Sequence, residues 1–224
     1  MIQLHKAFYD HIGINNQFRS IIVLDGKIPD LAFFKLQNLS IIAVDGAANK
    51  LVAMGLKPSL VIGDLDSIQP NLLNQLEAIH IHDQDYCDFH KTITHLQSIN
   101  LLPSIITGIE GGMIDHILQN MNIFVSTNSI FYAPPIVGHI IHQGEAKKFN
   151  LPVNAKVSLF GMPATVTTKG LKWELNHHEL TFPGTNSSFN RTSNSQVFIE
   201  VNKGYCLVMI YLNGEKDAGC ENTP

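Results

Sequence analysis

The feature that most constrains this chain is a unit repeated through its first half: a short run of β-branched or other apolar residues, an acidic or glycine-bearing turn, then helical spacing. Ile21-Ile22-Val23-Leu24 stops at Asp25-Gly26 and Pro29, with a short helix expected over Asp30 to Gln37. Ser40-Ile41-Ile42-Ala43-Val44 ends in Asp45-Gly46-Ala47-Ala48-Asn49 and leads to a helix through Leu51, Val52 and Met54 that stops at Gly55. Pro58-Ser59-Leu60-Val61-Ile62 runs into Gly63-Asp64-Leu65-Asp66-Ser67, after which Pro70 opens a helix with Leu72, Leu73 and Leu76 on one face. Ile79 and Ile81 form a brief strand before Asp83 to Lys91, followed by a helix from about Phe89 to Gln97. Ser104-Ile105-Ile106-Thr107 gives way to Gly108-Ile109-Glu110-Gly111-Gly112 and a helix from Met113 through Met121. Continuous apolar strands alternating with amphipathic helices predict a parallel sheet covered on both faces.

After Asn128 the pattern changes. Ser129 to Ala133 and Val137 to His142 read as two further strands near Pro134-Pro135, and beyond Gly144 helical spacing disappears. Lys156-Val157-Ser158-Leu159-Phe160, Ala164-Thr165-Val166-Thr167, Gln196 to Val201 and Tyr205 to Ile210 are short strand-like runs with turn residues between them, expected as a small antiparallel β-sandwich or barrel. Residues 1–18 show mixed polarity without a period and read as an N-terminal extension. The α/β domain then spans 19–143, the β-domain 144–213 and a polar, loose tail 214–224. Of 224 residues, 45% are hydrophobic and 15% charged, ample for packed cores.

Charge and cysteine usage narrow the function. A net charge of -4 without a Lys/Arg block argues against a nucleic-acid partner. Three cysteines, Cys87, Cys206 and Cys220, show neither zinc spacing nor a disulfide framework and fit a reducing compartment. The eleven histidines lack the pairing of a zinc site and read mostly as surface or cap residues. The N-terminus carries no signal-peptide pattern and the apolar runs are too short to cross a bilayer, so a cytoplasmic protein without membrane attachment is expected.

The chemistry concentrates at the predicted strand ends, where open α/β sheets keep their ligands. Asp64 and Asp66, one residue apart beside Gly63 and Ser67, can share a hard divalent cation, and Mg²⁺ is the natural choice. An isolated Asp-x-Asp is better explained by a polar turn with Ser67 as a helix cap; what overturns that reading is that three further acidic or glycine-rich clusters recur at neighbouring strand ends. Asp83, Asp85 and Asp88 exceed what capping one helix requires. The glycine loop before Met113 offers free backbone N–H groups to a phosphate, and Asp115, His116 and Asn120 place a polar flank of the next helix toward the site.

In order and spacing, Asp45 to Asn49, Gly63 to Ser67, Asp83-Gln84 with Asp88 and Lys91, and Gly111-Gly112 with Asp115-His116 and Asn120 resemble the thiamine pyrophosphokinases. The resemblance spans about residues 20 to 212. It implies a Rossmann-like N-terminal α/β domain followed by a smaller C-terminal antiparallel β-sandwich that binds thiamine. It further implies transfer of the terminal diphosphate of ATP, the co-substrate, to thiamine, giving thiamine diphosphate and AMP. By the same resemblance Asp64, Asp66 and Asp88 are linked to the metal, and Asp115 lies near the nucleotide or the attacking hydroxyl. Asp45, Asn49, Gln84, Lys91, Gly111, Gly112 and Asn120 serve metal, phosphate or nucleotide. Trp173 stacks on a thiamine ring, with Ser193-Asn194-Ser195 beside it, in a homodimer whose two sites are shared between subunits. On the residues alone, the preferred reading of Trp173 is an ordinary core aromatic of the sandwich.

Two positions depart from the family pattern: Met113 stands where an arginine commonly follows the double glycine, and Cys87 where threonine is usual. Met113 leaves open a protein of the same fold that binds nucleotide and thiamine with weakened catalysis. The Asp64-Leu65-Asp66 motif alone also suits a metal-dependent sugar-nucleotide enzyme. Cys87 has no base oriented toward it and is not read as a nucleophile.

Overall fold

A computed structural model describes residues 2–12, 17–36 and 38–212, which divide into two compact units, 1–140 and 141–224. The tail expected at 214–224 and Cys220 lie outside the described residues, as does Gln37, the expected end of the first strand's helix.

In the first unit, β1 (Ser20–Val23), β2 (Ser40–Val44), β3 (Leu60–Gly63) and β4 (Ala78–His80) follow one another outward across a parallel sheet. The chain then returns to the other side of β1 with β5 (Ser104–Thr107) and β6 (Ile130–Ala133), both parallel, and β7 (Ile136–His142) pairs antiparallel with β6. The spatial order is thus β7-β6-β5-β1-β2-β3-β4, and the winding direction reverses between β5 and β1. Every residue of β1, β3, β5 and β6 is buried, as continuous apolar runs require of strands covered on both faces.

The covering helices are α2 (Leu31–Lys35), α3 (Ala47–Ala53), α4 (Pro70–Leu73), α5 (Asp88–Ser98) and α6 (Ile114–Phe124). α3 packs through Ala47, Ala48 and Leu51, and α5 through Phe89, Ile93 and Leu96, the spacing of one helical face. Gly55, at φ 76°, ends the α3 segment, as its sequence position implied. α6 behaves differently. Only Ile123 and Phe124 are buried, while Ile114 (76% exposed) and Leu118 (54%) stand in solvent.

The segment without a visible period forms a helix of its own, α1 (Ile2–Ile12). Its inward line runs through His5 and Phe8, and a histidine at a core position is what disguises the pattern. Phe8 stacks on Tyr132 with ring centroids 4.1 Å apart. His5 is 1% exposed, with Nδ1 2.8 Å from the Tyr132 hydroxyl and Nε2 2.9 Å from Asp30 Oδ1. Asp30 also accepts the Ala32 N–H and so caps α2. His139 is buried too, its Nε2 2.9 Å from His11 Nε2, so the reading of the histidines as surface and cap residues fails at these two positions.

The second unit is antiparallel: β8 (Ala146–Asn150), β9 (Lys156–Lys169), β10 (His178–Leu180), β11 (Ser187–Arg191) and β12 (Gln196–Tyr211). The four short runs read from the sequence are two long strands. β9 and β12 pair along most of their length, with irregularities between Val201 and Lys203 and between Gly204 and Cys206. β10 and β11 take opposite halves of β9, and β8 takes the first residues of β12. Val157, Leu159, Val166, Val197, Ile199, Val201, Val208 and Ile210 point into one shared core, each essentially inaccessible. Burial at this level contributes roughly 1.5–3 kcal/mol per side chain.

Candidate functional site

The carboxyl ends of β2 and β3 bring three carboxylates together. One oxygen each of Asp45, Asp64 and Asp66 lies within 4.8 Å of the others. Asp45 follows β2 in a left-handed conformation, φ 43°, with its N–H donating to Ile62 O at 3.0 Å. Leu65 is also left-handed, φ 64°, and this bend turns the Asp64-Leu65-Asp66 loop back on itself. Asp66 N–H donates to Asp64 Oδ1 at 3.4 Å, and Ser67 Oγ to Asp66 Oδ1 at 2.8 Å. Gly63 makes the cluster sterically feasible, because a Cβ there would lie 2.9 Å from Asp45 Cβ and 3.3 Å from Asp88 Cγ.

Electrostatics separates the members. Burial pushes the Asp45 carboxyl above the usual carboxylate range, Ser67 and the Gly46 N–H partly oppose this, and the charges of Asp88 and Asp64 add to it. Its Oδ1 is buried with no hydrogen-bond partner among the described residues. An uncompensated carboxylate oxygen of this kind is costly unless a cation meets it. Asp64 is held below the usual range: its slight burial works the other way but is outweighed by the Asp66 N–H, the Gln84 amide and the charge of Lys91. An all-oxygen set of three carboxylates fits a hard divalent cation.

Asp88, which the resemblance links to the metal, opens α5 just outside this trio. Its Oδ1 accepts the Asp64 N–H at 3.2 Å and the Lys91 ammonium at 2.9 Å. Lys91 is 6% exposed, so the cation expected to meet phosphate is, as placed, the counter-charge of Asp88. Gln84 Nε2 reaches Asp64 Oδ2 at 3.5 Å. Asn49 ties two loops, donating to Ser67 O at 2.8 Å and accepting the Gln69 N–H at 3.0 Å. Cys87 precedes α5 as an exposed free thiol.

Beside this centre, at the point between β1 and β5 where the winding reverses, lies a crevice lined by Asp25, Gly26, Gly108, Gly112, His116 and Asn120. That is where doubly wound sheets bind ligands. Gly111, φ 87°, packs against Lys27, and a Cβ on Gly112 would meet open space. Asp115 is exposed on the first turn of α6, its Oδ1 accepting the His116 N–H at 2.9 Å. Met113 is 66% exposed immediately before that helix. In the sequence Asp25-Gly26 reads as a strand stop and Lys50 carries no motif. The signal for Asp25 was present, since Asp25-Gly26 occupies the same place after β1 as Asp45-Gly46 after β2.

In the second unit Trp173 is 55% exposed, which excludes it from the sandwich core. Its backbone is fixed by the buried Asn190, which accepts the Trp173 N–H at 3.2 Å and donates to Trp173 O at 2.8 Å. The Lys172 ammonium sits 4.8 Å from the indole centroid. Ser193 and Asn194 donate backbone N–H groups to Gly170 O, and Asn194 and Ser195 line a shallow groove with Lys148 and Lys169.

Fold and site define a two-domain α/β protein with an acidic centre beside a switch-point crevice. Two family models match it: thiamin pyrophosphokinase, catalytic domain, over residues 35–132, and thiamin pyrophosphokinase, vitamin B1 binding domain, over residues 139–206. The chain belongs to the thiamin pyrophosphokinase family. It is 25% identical over 211 residues to thiamine pyrophosphokinase 1 of Oryza sativa subsp. japonica, covering 76% of this chain and 79% of the relative. It is also 25% identical over 183 residues to thiamin pyrophosphokinase 1 of Caenorhabditis elegans, covering 71% and 74%. The fold matches the crystal structure of thiamine pyrophosphokinase from Bacillus subtilis, with TM-score 0.71, 22% identity and coverage of 86% of this chain and 99% of that one. The Candida albicans thiamin pyrophosphokinase gives TM-score 0.73 at 17% identity, covering 88% and 90%.

Proposed function

We propose that this chain is a Mg²⁺-dependent thiamine diphosphokinase that transfers the terminal diphosphate of ATP to the hydroxyl of thiamine, yielding thiamine diphosphate and AMP. The observation that carries the reading is the Asp45, Asp64 and Asp66 cluster with its unpartnered, buried Asp45 oxygen, in a chain of this family. These three carboxylates would hold Mg²⁺, with Asp88 beside them. When bound, the ion supplies charge neutralisation for the transferring diphosphate.

The protein's own part is positioning. Lys91 neutralises Asp88, and Asp88 fixes the Asp64 N–H, so the acidic loop is held before ligand arrives. The crevice between β1 and β5 receives the nucleotide, with Gly111, Gly112, His116 and Asn120 toward it, and Asp115 near the attacking hydroxyl. That hydroxyl oxygen forms a bond to the β-phosphorus and gives up its proton to solvent, the Pα–O–Pβ bridge breaks on the β side, and AMP leaves with the bridging oxygen. Trp173 offers an exposed π-face to the thiamine cation, beside Ser193, Asn194 and Ser195.

The working division is an α/β domain over 19–143 and a thiamine-binding domain over 144–213. Two chains form a homodimer with shared sites, and the exposed Met113, Ile114 and Leu118 support an assembly that covers them. Free thiols at Cys87 and Cys206 accord with a cytoplasmic setting. Incubation with ATP, thiamine and Mg²⁺ should release AMP, and omitting either thiamine or Mg²⁺ should stop it. Release of ADP or orthophosphate would overturn the reading.

A further inference from the structure

We propose that Lys50 is a positioning residue for the nucleotide, holding the Asp25-Gly26 turn that forms one wall of the crevice between β1 and β5. The inference rests on the diphosphokinase reading and extends it to a residue outside the acidic centre. Lys50 lies in α3, on the neighbouring strand's connection, and its ammonium reaches across to the end of β1. It donates to Asp25 O at 2.5 Å and Gly26 O at 2.8 Å, and pairs with Asp25 Oδ1 at 2.9 Å. An ammonium has three protons, and here three acceptors take them. Lys50 as placed is therefore occupied in shaping the turn and does not reach for phosphate.

The turn is held from its other side as well. The Gly26 N–H donates to Gly108 O at 3.0 Å and the Lys27 N–H to Glu110 O at 2.6 Å, both on the β5 loop. A Cβ on Gly26 would collide with Glu110 O and Gly108 O, so the two loops meet backbone to backbone. Lys50 is the anchor on the α3 side, and losing it leaves the carbonyls of Asp25 and Gly26 and the Asp25 carboxylate without their cation, while the N–H side of the same peptides stays bonded to the β5 loop. The pair is about half exposed, with side chains 42% and 57% accessible, and so adds little to stability. Its consequence is the shape and charge of the wall, where it keeps the Asp25 carboxylate matched in front of an anionic ligand.

Full-length Lys50→Met and Lys50→Gln should melt within a few degrees of the parent yet show KM for ATP raised about tenfold, the effect of losing one charge-assisted anchor. Their kcat and their KM for thiamine should stay within about twofold, and Lys50→Arg, which can span the same acceptors, should recover most of the ATP affinity. An unchanged KM for ATP in both variants overturns the proposal. So does a fall in kcat at constant KM, which would mean that Lys50 acts on the transition state itself. Should the parent protein release no AMP, it is the diphosphokinase reading that fails. ATP binding by calorimetry then still decides the role of Lys50, because equal affinity of parent and Lys50→Met contradicts it.

Discussion

Adding one methyl group at Gly63 should damage the site more than the fold. A Cβ there would stand 2.9 Å from Asp45 Cβ and 3.3 Å from both Asp45 Cα and Asp88 Cγ. Carbon contacts become comfortable at about 3.5 Å, so Asp45 must retreat by about 0.6 Å or β3 must shift. Neither movement is free: Asp45 is tied through its N–H to Ile62 O, and β3 is buried between β2 and β4. Overpacking of this kind costs about 1–3 kcal/mol, and a unit of this size loses roughly 2–4 °C of Tm per kcal/mol. Misplacing a catalytic group by about 1 Å can cost 10²-fold, so Gly63→Ala should lower kcat/KM on the order of 10- to 100-fold. Gly55→Ala is the matched control, since Gly55 has φ 76° with nothing within 4 Å of a Cβ. It should cost about 1 kcal/mol of stability through backbone strain and leave turnover untouched. Both variants are compared by thermal melts and by steady-state AMP formation. Gly63→Ala with kcat/KM within twofold of the parent would refute the close-packed placement of Asp45 and Asp88.

Asp66→Ala, which removes an exposed carboxylate and no core packing, should reduce turnover by about three orders of magnitude or more with an unchanged melt, and mixing it with Trp173→Ala chains should restore activity in a shared-site dimer. Alkylation of the native protein followed by peptide mass spectrometry should label the exposed Cys87 and spare Cys206, whose thiol burial pushes up to about 12. Burial lowers the His11 pKa to about 4 from its ordinary 6.5, so the fold favours neutral His11. Its contribution should be complete above about pH 6.5 and lost progressively from there toward pH 4, because the unfolded chain then binds the extra proton. Melts across that window should decline, and His11→Asn should flatten the decline.

What the sequence made legible, and what it concealed, follows from how local each signal is. The parallel strands and their acidic ends could be read directly, because apolar runs and acidic turns are contiguous and because Asp45 and Asp64 directly follow such runs, with Asp66 two residues on. The lengths of β9 and β12 could not. Gly161-Met162-Pro163 and Asn202-Lys203-Gly204 look like turns but are bends inside long strands, where Gly204 at φ 75° backs onto the Pro163 carbonyl and Gly161 onto that of Leu180. α1 was hidden because its core position His5 is satisfied by Tyr132, 127 residues away, a partner no local period reveals. Lys50 escaped for the same reason, since its acceptors lie on another strand's loop. Trp173 could be named from the family resemblance, but only the structure distinguishes a displayed aromatic from a core one.

The central claim is that this acidic centre moves a diphosphate intact, and the fate of the β-phosphorus tests it most directly. With ATP labelled at the β-phosphorus, Mg²⁺ and thiamine, the label should pass quantitatively into thiamine diphosphate while AMP carries none, in equal molar amounts. Label remaining in ADP would mean that the bond broken is not the one between the α- and β-phosphates, label appearing in orthophosphate would mean that the diphosphate is split and not transferred whole, and either result would contradict the account.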